Sequence, residues 1–180
     1  MRRFPFFARG LRLPRGFLTA ALLPLLCSCS SYSGSSLKPG ESTLQDVLAT
    51  MGEPAARWTA PDHSMRLSYP HGPAGYQSYM VEIDAQGHVQ QIRNVLDEEH
   101  FKMITRGMEG EEVLRTLGPP VPAWTAHFPA RRELVWEWRY CNEDRMAARF
   151  DVLLDSDRKD VRSTASWLED CSSGPCFCGR

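Results

Sequence analysis

The chain of 180 residues is 42% hydrophobic and 10% aromatic, the composition of one ordinary globular domain or two small ones with a packed core. Its formal net charge of −1 hides an asymmetry: Arg2, Arg3, Arg9, Arg12 and Arg15 precede the first acid, Glu41, and without them 16 basic residues face 22 acidic ones, about −6. That balance excludes a protein that tracks nucleic-acid phosphates, which needs clustered Lys and Arg.

Residues 1–28 have the layout of a lipoprotein signal peptide: an arginine-bearing lead to Arg15, an apolar run from Phe17 to Leu26 broken by Thr19 and Pro24, then small polar residues. The run is half the length of about 20 residues needed to span a bilayer. Arg2 and Arg3 suggest a twin-arginine signal, but the "FPFF" that follows fits that motif poorly. The stretch "LCSC" (26–29) reads as a lipobox, with Leu26 three positions before Cys29 and Ser28 immediately before it. Counting back from Cys27 instead meets Leu26, Leu25 and Pro24, too bulky for a signal peptidase. Cys29 is therefore the candidate lipidated residue; an ordinary cleaved signal with free cysteines is the alternative. Residues 29–36 form a Ser/Gly tether.

In the next unit, 37–96, Leu44, Val47, Leu48 and Met51 lie at i, i+3, i+4 and i+7 and predict the apolar stripe of a helix starting near Glu41. Gly52 and Pro54 stop it. "MRLSY" (65–69), "YQSYMVEI" (76–83) and "HVQQIR" (88–93) then alternate as half-buried strands, with turns between.

The unit 97–170 opens with a plausible helix from Asp97 to Thr105, where Phe101 and Ile104 share a face. A second helix carries Val113, Leu114 and Leu117 and ends at Gly118 and two prolines. In "ELVWEWRY" (133–140), Leu134, Trp136, Trp138 and Tyr140 occupy one strand face and Glu133, Val135, Glu137 and Arg139 the other; "MAARFDVLL" (146–154) and "KDVRST" (159–164) follow as strands.

The two units align. "GEPAARWTA" (52–60) matches "GPPVPAWTA" (118–126) at a spacing of 66, placing Trp58 over Trp124, and the helices upstream and strands downstream recur in the same order. The expected fold class is α+β: a tandem repeat of one or two helices packed on a three-stranded antiparallel meander.

The glycine-initiated helix ending in Val-x-x-x-Leu-Gly-x-Pro in "GMEGEEVLRTLGPP" (107–120), the aromatic strand "VWEWRY" (135–140) and the aspartate-turn strands "RFDVLLDSDRKDV" (149–161), behind a lipobox, resemble the SmpA/OmlA (BamE-like) lipoprotein family. "GESTLQDVLATMGEP" (40–54) matches more weakly, and the likeness covers about 37–165. The resemblance implies two helices on a three-stranded sheet, a shape shared with β-lactamase inhibitory proteins. It also implies a non-enzymatic lipoprotein anchored in the outer membrane and facing the periplasm, with the β-barrel assembly machinery as a partner. Two copies of the unit, and the tail 171–180, set this chain apart from the assembly factor.

The tail holds Cys171, Cys176 and Cys178, which with Cys141 make four cysteines in the processed chain. An oxidising compartment favours two disulfides in one of three connectivities; free thiols or a metal site are the other readings, the Cys-x-Cys spacing being poor for zinc. His63, His71, His88, His100 and His127 fall on predicted turns and loops, as solvated side chains. Neither a nucleophile elbow nor a phosphate-cradling loop is present in the sequence, and Glu98–Glu99 and Glu111–Glu112 sit at helix starts where the helix dipole explains them. Trp58 and Trp124 read as anchors of the first strand, and Trp136, Trp138 and Tyr140 as a buried sheet face or, if exposed, a partner surface. The expectation is a binding protein without cofactor or metal, attached to the membrane by lipid. A periplasmic enzyme inhibitor and a structural envelope lipoprotein are the alternatives.

Overall fold

The computed structural model describes residues 33–72, 75–171 and 174–178, so the signal and lipobox readings, with Cys27 and Cys29, lie outside the described residues. Helix α1 spans Leu44–Met51. It begins at Leu44 rather than near Glu41 because Thr43 caps it: the Thr43 hydroxyl accepts the Asp46 N–H at 3.3 Å and Asp46 accepts the Thr43 N–H at 2.8 Å. Gly52 ends it with a φ of 82°, donating its N–H to the Leu48 carbonyl at 3.0 Å.

Four antiparallel strands follow: β1 (Ala56–Thr59), β2 (Met65–Pro70), β3 (Ser78–Ile83) and β4 (Val89–Asn94), in the order β1-β2-β3-β4. Two helices, α2 (Glu98–Met103) and α3 (Gly110–Leu117), lead into a second sheet. It consists of β5 (Ala126–Phe128), β6 (Glu133–Cys141), β7 (Ala147–Asp155) and β8 (Val161–Leu168), again in sequential order. A short hairpin, β9 (Asp170–Cys171) with β10 (Gly174–Pro175), opens the tail.

The fold is α+β with few helices and two four-stranded antiparallel sheets. The expectation of three strands per sheet is therefore corrected. The segment after each helix-stopping proline, which is not among the expected strands, pairs as an edge strand: Trp58 sits opposite Arg66, and Ala126 opposite Val135. Strands of four and three residues bounded by prolines are too short to show a period, so their pairing is decided by the neighbouring strand.

The halves share details beyond strand order. Each helix N-cap residue forms a bridge to the residue before the fourth strand, Thr43 with His88 and Glu109 with Asp160. Each third strand meets the fourth with a register shift, between Glu82 and Ile83 and between Leu153 and Leu154.

The layers stack as α1, first sheet, α2 and α3, second sheet. Val47 and Met51 of α1 pack with Leu67, Tyr69, Val81 and Ile83 on one face of the first sheet. On its other face, Arg66 donates to the Arg115 carbonyl of α3 at 3.1 Å, and Ser68 and Ser78 lie against Gly118. The opposite sides of α2 and α3 bring Phe101, Ile104, Val113 and Leu117 onto Trp138, Tyr140, Phe150, Val152 and Leu154 of the second sheet. Phe101 stacks on Phe150 at 4.0 Å and meets Tyr140 edge-on at 4.7 Å. His100, expected on a solvated loop, is instead a buried residue of α2: Asp97 caps the helix and its Oδ1 lies 2.7 Å from His100 Nδ1.

Candidate partner-binding face

The alternation of β6 divides its side chains between two environments. Trp138 and Tyr140 are buried toward α2 and α3 and Trp136 is half-buried, packed against the same cluster. The Trp138 indole donates to the Gly118 carbonyl at 3.2 Å. The opposite face carries Val135, Glu137 and Arg139, beside Arg149, Asp151 and Leu153 of β7 and Ser163, Ala165 and Trp167 of β8. Among the described residues no helix covers it, whereas both faces of the first sheet are covered.

A charge network crosses this open face. Glu169 accepts from Arg139 Nε at 2.7 Å and Nη2 at 2.6 Å, and from Arg149 Nε at 2.7 Å; Arg149 also donates to Glu137. These are paired, half-buried charges, for which bidentate guanidinium geometry matters. Burial alone would raise the Glu169 carboxyl, but the hydrogen bonds from Arg139 and Arg149 more than offset it and hold it below the ordinary value. Glu137 is shifted the other way, raised chiefly by burial, with the Asp151 carboxylate directly across the strands adding to the rise against Arg149.

Aromatic rings border the network. The Arg149 guanidinium lies 3.7 Å from the Trp124 ring centroid and 5.6 Å from that of Trp167. Arg139 lies 4.3 Å over Tyr76, tying this face to the first half. Trp167 is 46% exposed and Leu168 48%, and the Trp167 indole donates to Asp151 at 2.9 Å.

Trp58 and Trp124, aligned in the sequence, take different places. Trp58 is in β1 and its indole donates to Glu111 of α3 at 2.7 Å; Trp124 closes a 3-10 turn, Pro122–Trp124, that lifts it over Arg149. Glu111 and Arg115 also form an ion pair at 3.4 Å. The cysteines pair Cys141 with Cys178 and Cys171 with Cys176, which fastens the tail to the end of β6. The tail continues along β7, where Ala147 donates to the Cys176 carbonyl at 2.6 Å and Cys178 to the Arg145 carbonyl at 2.9 Å.

Arg149, Glu169 and Trp167 were not singled out by sequence reasoning. The signal available was the outward pattern Glu137, Arg139 in one strand and Arg149, Asp151 in the next, whose pairing needs the register between them. Counting from the register shift, Ser68 and Ser78 of the first sheet correspond to Glu137 and Arg149 of the second. In the first sheet two small residues admit α3; in the second, a charged pair stands at the same positions on an open face.

An open groove of about 560 Å³ lies beside β1, lined by Trp58, Arg66, Glu82, Asp84 and Arg115 among others, and one of about 540 Å³ lies between α2 and the end of β6, lined by Glu98, Lys102, Tyr140 and Glu143 among others. The acids of the first groove are engaged: Glu82 by Arg66 at 3.0 Å and Arg93 at 3.2 Å, Asp84 by the His88 N–H at 2.8 Å. Among the described residues no group of three or more His, Cys, Asp or Glu is placed to hold a metal ion, and no helix is long and apolar enough to cross a membrane. No protein-family model, curated protein or solved structure matches the chain.

Proposed function

We propose that the chain is a non-enzymatic lipoprotein, anchored through acyl chains on Cys29 and facing the periplasm, that acts by protein–protein binding in outer-membrane assembly or maintenance. Two copies of a BamE-like unit, 37–96 and 97–170, make up its body in this reading. The observation that carries the binding role is the open face of the second sheet, where Glu169 holds Arg139 over Tyr76 and Arg149 between Trp124 and Trp167. Arg and Trp held rigid at a surface dominate interface energetics, because they bury large areas at little entropic cost. The lipobox "LCSC" and the Ser/Gly tether support the anchor, and multiple acylation would make it stable where one chain holds only weakly.

A photo-cross-linking residue at Ala165 on this face, compared with one at Gln91 on the first sheet, tests the reading in the cell envelope. Adducts from Ala165 with subunits of the barrel assembly machinery support it. Adducts with a single hydrolase favour the inhibitor reading, and equal adducts from both positions remove the role of the face.

A further inference from the structure

Strand β8 closes one side of the second sheet, and its outer edge is only partly occupied. The segment before α3 runs along its start: Gly107 donates to the Val161 carbonyl at 2.8 Å, Val161 to the Met108 carbonyl at 2.8 Å, and Gly110 to the Lys159 carbonyl at 2.7 Å. Beyond Val161 that segment departs into α3. Among the described residues, no backbone hydrogen bond reaches the outer edge of 163–168. The inward edge is fixed by Glu169, which donates to the Ala147 carbonyl at 2.9 Å. Two-residue alternation then turns the N–H and C=O groups of Leu168, Ser166 and Thr164 outward.

Natural edge strands are blunted by shortness, proline, lysine or a cover. The other edges here follow that rule: β1 and β5 have four and three residues, and β4 carries Arg93. The stretch "STASWL" (163–168) has no charge and no proline, every residue in it is exposed, and of its side chains the inward-facing Thr164 and Ser166 line a groove with α2. Its ends differ in sign, with Arg162 before it and Glu169 and Asp170 after it.

We infer that the β8 edge pairs with the β8 edge of a second copy of this chain, antiparallel about a two-fold axis, joining two four-stranded sheets into one of eight strands. Charge complementarity selects this occupant. An antiparallel copy brings each Arg162, which its own Asp155 holds at 2.6 Å, opposite the exposed Asp170 of its partner, whereas a parallel strand of the same sequence would oppose like charges. A two-fold axis at Ser166 satisfies the outward-facing groups, since it pairs Thr164 with Leu168 and sets Ala165 opposite Trp167, small against large. Isologous contact closes the assembly at two copies.

The test is the mass of the full chain in mild detergent, measured by light scattering corrected for bound detergent, above micromolar concentration. The wild type should have twice the chain mass. Ser166→Lys sets like charges directly against each other on the two-fold axis, and Ser166→Pro removes an N–H that no strand of the monomer uses. Each should lower the dimer fraction at least tenfold while circular dichroism stays unchanged. A photo-cross-linker at Leu168 should give a self-adduct mapped to 163–168 of the other copy. A monomeric wild type, a dimer insensitive to both substitutions, or an adduct mapped away from β8 would overturn the inference.

Discussion

Gly118, at the end of α3, lies directly against Ser68 of β2: a Cβ on Gly118 would collide with Ser68 Oγ and stand 2.9 Å from Ser78 Oγ. Both serines are fully buried, and neither hydroxyl has a hydrogen-bond partner among the described residues. The contact joins the halves of the chain, and the backbone there has a φ of 77°. Gly118→Ala therefore adds overpacking to left-handed strain and should destabilise by about 2–4 kcal/mol. Gly107→Ala is the control, because Gly107 has a φ of 87° with nothing within 4 Å and should cost only about 1–2 kcal/mol. Urea unfolding measures both; equal losses would show that Gly118 is not a packing contact.

Removing Glu169 strips both Arg139 and Arg149 of their shared acceptor. Glu169→Gln should cost about 1–3 kcal/mol, since it leaves half-buried guanidinium groups short of a charged partner. Glu137→Gln should cost less, because burial already disfavours the ionised Glu137. The pH dependence has opposite signs. Glu169 has a lowered folded value, so its contribution is present above the ordinary 4.5 and is lost as pH falls through the folded value; Glu137 has a raised one, so protonation favours the folded state as pH falls through its folded value toward 4.5. Unfolding midpoints of the two variants against pH would separate them.

Asp155 stabilises the turn between β7 and β8. Its carboxylate accepts the Arg158 N–H at 3.1 Å, Arg162 Nη2 at 2.6 Å and the Asp157 N–H at 3.0 Å, which together hold it well below the ordinary carboxylate value. A lowered folded value means stability that is intact above the unfolded 3.8 and is lost below it. The wild type should lose stability on acidification below that point, and Asp155→Asn should begin less stable at neutral pH and show a shallower acid loss. Parallel acid profiles would contradict the assignment.

Much of this was legible because the deciding signals are local. Gly52 and Gly118 stop the helices, and the alternation of 133–140 separates the Trp138 and Tyr140 face from the Glu137 and Arg139 face within one strand. The edge strands were not legible, since Arg57 and Trp58 pair only because β2 presents a free edge. Nor was the divergence of Trp58 from Trp124, which follows from the extra proline Pro122 opening a 3-10 turn. The charge network joins Arg139 to Glu169 across 30 residues, and the contact of Gly118 with Ser68 crosses the two halves. No short-range pattern carries either.

The disulfides differ in the length of chain they close. Cys141–Cys178 spans a separation of 37 residues and Cys171–Cys176 only 5. In the chain-entropy description, losing the first should cost about 4 kcal/mol and losing the second about 2. Paired alanine substitutions followed by urea unfolding check the order, and a non-reducing peptide map should recover these two linkages and no others.

Labelling cells with radioactive palmitate tests the lipid anchor on Cys29 most directly. Wild type and Cys27→Ala should both take the label, Cys29→Ala should not, and globomycin should leave the labelled precursor unprocessed. Wild type without label, or label retained in Cys29→Ala, would contradict it.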